Sequence, residues 1–283
     1  MAPRTRKPRG AGRPAGIVYG LLAAVLVGSV FPFYWSFLIG SGDSYTINDP
    51  NMSWWPGGNF LDNASYVLSS PSVLFWKALG NSVIVSLTVA GSTVVLSTLA
   101  GFAFAKLRFK GSAGLLVAVI ATMAVPVQLG IVPLYILMQK YGWTGHLYAV
   151  IVPALVTAFG VFWMTQYLQQ SLPTELIEAA RVDGCSMIRT FWHVALPAAR
   201  PAAAMLGLFT FVSTWNNFFW PFIVLNNQNP TLPMALRMLQ AEKYVDYSLV
   251  LAGVVLATIP LLVLFIFAGK QLIAGIMQGA VKG

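Results

Sequence analysis

Six stretches of this 283-residue chain are almost unbroken hydrocarbon: about 17–39, 77–104, 112–135, 146–168, 199–225 and 248–269. A helix needs about 20 predominantly apolar residues to cross a hydrocarbon core of roughly 30 Å, and each stretch is at least that long. No carboxylate falls inside any of them. A lipid-spanning segment must satisfy its backbone internally, so runs of this kind are read as helices. With 57% of residues hydrophobic and only 9% charged, there are too few charges to solvate a surface of this size, and lipid is the expected solvent. The expectation is an all-α membrane protein with six transmembrane helices.

Pro126, Pro133, Pro153, Pro221 and Pro260 interrupt the later runs, which a bundle tolerates because neighbouring helices satisfy the freed carbonyls. Gly91, Ser92 and Gly101 allow close backbone approach. Orientation follows from lysine and arginine. With the N-terminus in the cytoplasm, thirteen of the seventeen basic residues fall inside, among them Arg4, Arg6, Lys7, Arg9 and Arg13; only Lys77, Lys140, Arg237 and Lys243 fall outside. The chain then divides into a basic cytoplasmic tail (1–16), a first span (17–39), an extracytoplasmic loop (40–76), a transmembrane core (77–270) and a cytoplasmic tail (271–283). The first run is longer than a signal-peptide core and no A-x-A-like cleavage site follows it, so it reads as an uncleaved anchor. Trp35, Trp76, Trp143 and Trp220 sit near run ends, as interfacial aromatics do.

The net charge of +9 is not a nucleic-acid signature. Its densest cluster flanks a hydrophobic run without aromatic interleaving. A single cysteine, Cys185, excludes an internal disulfide and a thiolate metal site. With no base beside it, it does not read as a catalytic thiol. His146 and His193 are isolated in sequence. There is no G-x-x-x-x-G-K-[ST] loop to hold a nucleotide. A secondary transporter usually needs ionisable groups within its spans, and no acid lies inside any of these runs; a channel would need a filter-like loop, and none is evident.

One polar island stands out, "LPTELIEAARVDGCSMIRTFWHVALP" (172–197), which holds three of the eight carboxylates, one of the two histidines and the cysteine. It reads as two short helices. Pro173 suits the first turn of one, with Glu175 and Glu178 near its positive end. Leu176, Ile177 and Ala180 are expected on one face, and Gly184 is placed to end the helix in a left-handed conformation. The second is expected from about Ser186, with Ile188, Phe191, Trp192 and Ala195 as its apolar stripe and Pro197 closing it. A membrane-surface helix would carry more lysine and arginine, and a DNA-reading pair would set carboxylates against phosphates. A docking element for a cytoplasmic partner accounts for both the small residues and the exposed acids.

The spacing Glu178-Ala179-Ala180, three residues, Gly184, nine residues, Val194-x-Leu196-Pro197 resembles the EAA loop of binding-protein-dependent ABC importer permeases. Asp183 before the glycine is also usual there; Val194 stands where isoleucine is common. "NSVIVSL" (81–87), "TWNNFFWPF" (214–222) and "GIMQGAVKG" (275–283) look like the smaller permease subunit of maltose-type carbohydrate importers, with Asn217 where an acidic residue is frequent. The likeness runs from about residue 12 to the end. It implies a type I ABC importer permease fold with both termini cytoplasmic, in a bacterial plasma membrane. The implied partners are a second homologous permease, two copies of a cytoplasmic ABC ATPase and an extracytoplasmic sugar-binding protein.

On that resemblance Glu178, Ala179, Ala180, Asp183, Gly184, Leu196 and Pro197 would couple to the ATPase. Asn216, Asn217, Phe218 and Trp220 are candidates for lining the path. No cofactor is expected on this chain, since ATP and magnesium would sit on the ATPase, and no enzyme chemistry is needed. The implied cargo is a di- or oligosaccharide, a β-glucoside such as cellobiose being one instance. Permeases for amino acids, peptides or glycerol phosphate share the loop and stand as alternatives. "QGAVKG" (278–283) reads as a tail too short to fold alone, which in such importers touches the ATPases.

Overall fold

The computed structural model describes residues 16–45, 47, 53–240 and 245–280. The basic tail lies outside the described residues except for Gly16, as do Lys243 and the last three residues. Among the described residues every regular element is helical: α1 (Gly16–Gly40), α2 (Phe60–Ser69), α3 (Phe75–Lys106), α4 (Ser112–Thr122), α5 (Ile131–Lys140), α6 (Tyr148–Ile151), α7 (Ala158–Ser171), α8 (Thr174–Val182), α9 (Met187–Thr190), α10 (Leu196–Trp215), α11 (Phe219–Val224), α12 (Leu232–Met238) and α13 (Tyr247–Ala280). Among the described residues five helices are long and apolar enough to cross a membrane, and a bent pair would make a sixth.

The bundle is organised around α3, which packs against both α7 and α10. Its 32 residues make a rod of about 48 Å at 1.5 Å per residue. Gly101 lets α3 lie against the backbone of α7: a Cβ there would lie 2.8 Å from the Met164 carbonyl carbon and the Thr165 nitrogen. Small polar residues on the same helix serve the breaks in its neighbours. Thr93 Oγ1 donates to the carbonyls of Ala154 and Leu155 at 3.4 Å each. These carbonyls follow a tight 3₁₀ turn at Val152–Ala154, where Pro153 withholds a donor. The chain then restarts as α7 under Thr157, whose hydroxyl accepts from Gly160 N at 3.0 Å.

α1 is almost wholly exposed except at its end, where Leu38, Ile39 and Gly40 are buried and Gly40 lies directly against the backbone of Ala252 in α13. Asn63 of α2 donates to the carbonyls of Gly40 and Gly42 at 3.0 and 2.9 Å, tying the loop that follows to the end of α1.

Besides the break within 146–168, three of the expected runs are built differently. The run 112–135 is not one straight helix: α4 and the helix through Lys140 meet at 90°. Pro126 lacks a donor and pushes the preceding residue out of helical conformation, and the chain restarts through a 3₁₀ turn at Val127–Gly130. The run 199–225 is displaced. A helical stretch from Met187 to Trp215 is the long apolar unit, and the chain breaks at Asn216–Phe218 before α11. The last helix is longer than 248–269, running to Ala280. Residues 278–280 are therefore helical rather than a free tail, because extending an existing helix needs no new nucleation.

Candidate functional site

α10 carries a distinct arrangement at each end. At its N-terminal end lies the polar island. Pro173 is the residue just before α8 rather than part of its first turn, with φ −60° and ψ 142°. The helix ends as the sequence suggests. Gly184 has φ +78°, its N–H donates to Arg181 O at 3.0 Å, and Cys185 N donates to Ala180 O at 2.9 Å. This 5→2 and 6→1 pair is the Schellman closure. Asp183 is the capping residue, its N–H returning to Ala179 O. Ser186 then opens the next helix, its hydroxyl accepting from Arg189 N at 3.3 Å.

Pro197 does not close that helix. Phe191–Ala195 form a π-helical turn whose widened backbone passes directly into α10, with Leu196 N donating to Phe191 O. The residue that cannot donate thus falls in the first turn after a register shift, where its missing N–H is accommodated.

The expected apolar faces are also divided more finely. Ile177 and Ala180 of α8, with Phe191 and Ala195, join Phe102, Met164 and Leu168 in one buried cluster beneath α3 and α7; the Phe102 and Phe191 rings are 5.9 Å apart. Leu176, Ile188 and Trp192 are not on that face but exposed, as is Val182 at 88%. Glu175, Glu178 and Ala179 are exposed beside them, while Leu196 and Pro197 are half-buried. The island is thus bolted to the bundle on one side. Its other side presents carboxylates together with an apolar rim, part of which the sequence pattern had placed on the same face as the packed residues.

At the C-terminal end of α10 lies a cleft of about 420 Å³ between the end of α10, α12 and α13, within the range of small-molecule sites. Leu232, Leu236, Val250 and Val254 contribute apolar walls, and Asn216, Phe218, Arg237 and Gln240 also line it. The four residues expected along the path are therefore not one group. Asn216 and Phe218 line the cleft, and Asn216 Nδ2 donates to Val212 O of its own helix at 2.9 Å. Asn217 is exposed outside the cleft lining. The Trp220 indole points away, donating to Ala149 O at 3.1 Å.

The cleft wall is held by contacts from far along the chain. Asn81, at the start of α3 and buried, donates to Asn229 Oδ1 at 3.0 Å and Pro230 O at 2.8 Å. Ser82 Oγ accepts from Leu232 N at 2.8 Å, the first residue of α12. Asn229 in turn donates to Gly145 O at 3.1 Å. The polar start of "NSVIVSL" is thus the anchor of the segment that carries Arg237. Asn and Ser opening a long apolar run were the signal for it. Their partners some 150 positions away in the chain were not visible from sequence.

Residues 93–272 match the family model described as "Binding-protein-dependent transport system inner membrane component". The arabinooligosaccharides transport system permease protein AraQ of Halalkalibacterium halodurans is 36% identical over 224 residues, covering 79% of this chain and 80% of AraQ. The lactose transport system permease protein LacG of Rhizobium radiobacter is 30% identical over 272 residues, covering 95% of this chain and 97% of LacG. In fold, the chain superimposes on a bacterial ABC transporter involved in the import of the acidic polysaccharide alginate. The TM-score is 0.77 at 21% identity, over 94% of this chain and 99% of that one.

Proposed function

Since this chain belongs to the family of binding-protein-dependent transport system inner membrane components, we propose that it is one of two paired permeases in an ATP-driven sugar importer of a bacterial plasma membrane. Both termini and the island face the cytoplasm, and the cleft end of α10 faces outward. The observation that carries the reading is the arrangement on α10. A rigidly closed helix pair with an exposed acidic and apolar face sits at one end, and a cleft of small-molecule size sits at the other.

The island docks into a separate ATPase. Glu178 meets a basic group there, Ala179 and Ala180 keep the helix narrow, and Asp183 and Gly184 fix the turn. Leu196 and Pro197 pass the motion into α10. Motion imposed on α8 reaches the bundle through Ile177 and Phe191, because a close-packed cluster transmits displacement instead of absorbing it. The cleft, with Asn216 and Phe218 on its lining, is the part of the path this subunit contributes; Asn217 and Trp220 flank it. Relatives named for arabinooligosaccharide and lactose transport support a di- or oligosaccharide cargo delivered by an extracytoplasmic binding protein.

The test is uptake of a panel of labelled sugars by cells with and without this chain, alongside co-purification of the ATPase. Sugar uptake that depends on the chain, with the ATPase retained, is expected; uptake of amino acids or peptides instead would overturn the sugar assignment. Orientation is checked by an impermeant thiol reagent, which should label Ser53→Cys from outside the cell and leave Cys185 untouched.

A further inference from the structure

Among the described residues, Arg237 is the one group in the cleft lining with a full charge. Its guanidinium carbon stands 4.4 Å from the centre of the Phe222 ring. Phe222 stacks in turn on Phe218, with centroids 5.1 Å apart and planes 22° from parallel. The three groups form a ladder that ends in the cleft. A cation held against an aromatic face is fixed in position without spending its N–H donors, because those donors lie in the guanidinium plane and point outward from its edges. Among the described residues no carboxylate or carbonyl accepts from Arg237. Gln240, about one turn further along the chain, and Asn216 also line the cleft.

An apolar wall, an aromatic edge and a small set of planar donors suit a ligand with an apolar C–H face and oxygen acceptors around its rim. A saccharide unit has both, and a guanidinium reads two adjacent oxygens at once. We infer that Arg237, held by the Phe218–Phe222 stack and assisted by Gln240, is a specificity-determining contact for a saccharide unit bearing two neighbouring oxygen acceptors. Those acceptors are either a carboxylate or a pair of adjacent hydroxyls. This rests on the reading of the cleft as part of the path. It adds a residue on α12, outside "TWNNFFWPF", that sequence inspection had treated only as an outside positive charge.

The experiment uses the complete transporter in proteoliposomes, with Cys185→Ser and Gln240→Cys in this chain. The rate of labelling by an impermeant maleimide is followed with neutral disaccharides (lactose, maltose, cellobiose) or uronate oligosaccharides present. One class is expected to slow labelling by about tenfold. Protection by the neutral sugars identifies hydroxyl recognition, and protection by the uronates carboxylate recognition. Adding Arg237→Gln should remove the protection. Phe222→Leu should weaken it by releasing the guanidinium from its stack. Protection that survives Arg237→Gln, or the absence of protection by either class, overturns the inference. Asn216→Cys in the same assay separates the two claims: protection there without protection at Gln240 sinks the role of Arg237 and leaves the path reading standing, while protection at neither sinks both. Glu242 lies outside the described residues and is close in sequence. A loss of protection in Glu242→Gln equal to that in Arg237→Gln would assign Arg237 to an ion pair with Glu242 and overturn the inference as well.

Discussion

The two ends of α10 differ in how they are made. The island is assembled from one continuous segment, 172–197, closed by local devices: the Schellman bonds at Gly184, the Ser186 cap, and a buried face at Ile177 and Phe191. The cleft is assembled from α10, α12 and α13, and its wall is fixed by Asn81 and Ser82 of α3. A local structure concentrates its function in a few backbone-critical residues. A dispersed one spreads it over many weak contacts. Damage should therefore be severe and narrow at the island, and graded and broad at the cleft.

The sharpest break is at Gly184. A Cβ there would meet nothing within 4 Å, so space is not the constraint; the φ of +78° is. Proline is locked near φ −65° and would also lose the N–H to Arg181, a cost of roughly 3 kcal/mol or more. Gly184→Pro is expected to abolish uptake and ATPase co-purification while the chain still enters the membrane. Gly184→Asn should retain most uptake, because asparagine tolerates the left-handed region. If both variants fail equally, the glycine is required for close contact with a partner and not for its angle. Glu178→Lys should also abolish uptake, since reversing one member of a charge pair at a docked interface costs about 2 kcal/mol or more. Normal transport with normal ATPase binding in both Gly184→Pro and Glu178→Lys would remove the island from the coupling role.

At the cleft end, Asn81→Leu is the most damaging change expected. It leaves Pro230 O and Asn229 Oδ1 without the donors they receive now, a penalty of about 1–3 kcal/mol. The Ser82 bond to Leu232 N remains, so α12 is loosened and not released. Uptake should fall without vanishing, the purified protein should melt at lower temperature, and the ATPase should still co-purify. Loss of the ATPase in this variant would show that the two ends are not separable in this way.

Legibility followed the same division. The helical turn, its glycine and its cap were readable in 172–197 because each depends on neighbours within about one turn of helix. The errors there came from longer range. Pro197 reads as a stop until the π turn at Phe191–Ala195 is seen to shift the register, and Ile188 and Trp192 read as one stripe with Phe191 and Ala195 until α3 and α7 are placed on one side only. Hydrophobic length located the bundle but not its breaks at Pro126 and at Asn216–Phe218. Length reports the medium, and the breaks depend on which neighbours can take the freed carbonyls, as Thr93 does for Ala154 and Leu155. Arg237 entered the sequence reading only as a charge, because its setting on Phe222 is a tertiary fact.

A smaller effect is expected from Asn216→Ala. The amide lies on the cleft lining and bonds only to its own helix, so its loss should not disturb folding. One hydrogen bond to a passing ligand changes rate or preference by about threefold to tenfold. Asn217→Ala, outside the lining, should change less. The opposite order, measured as relative uptake of two sugars, would move the path to the other side of the α10–α11 break.

The smallest expected effect is at Val194, and it tests whether the island's packed side is as tolerant as its exposed side is strict. Val194 is half-buried in the π turn, packed against the cluster that holds Phe191 and Ala195. Isoleucine adds one methylene. In a fully buried core that addition forces neighbours to move and costs about 1–3 kcal/mol. At a half-exposed site the extra carbon can turn outward, and changes of this kind stay within about 0.5 kcal/mol. β-Branched residues share one preferred χ1 in helical backbone, so the substitution keeps the rotamer and adds only length. Val194→Ile is therefore expected to leave uptake, ATPase co-purification and melting temperature unchanged. A marked loss of uptake with an unchanged melting temperature would mean that Val194 faces a partner rather than the bundle, and the boundary between the island's anchored and docking faces would have to be redrawn through the π turn.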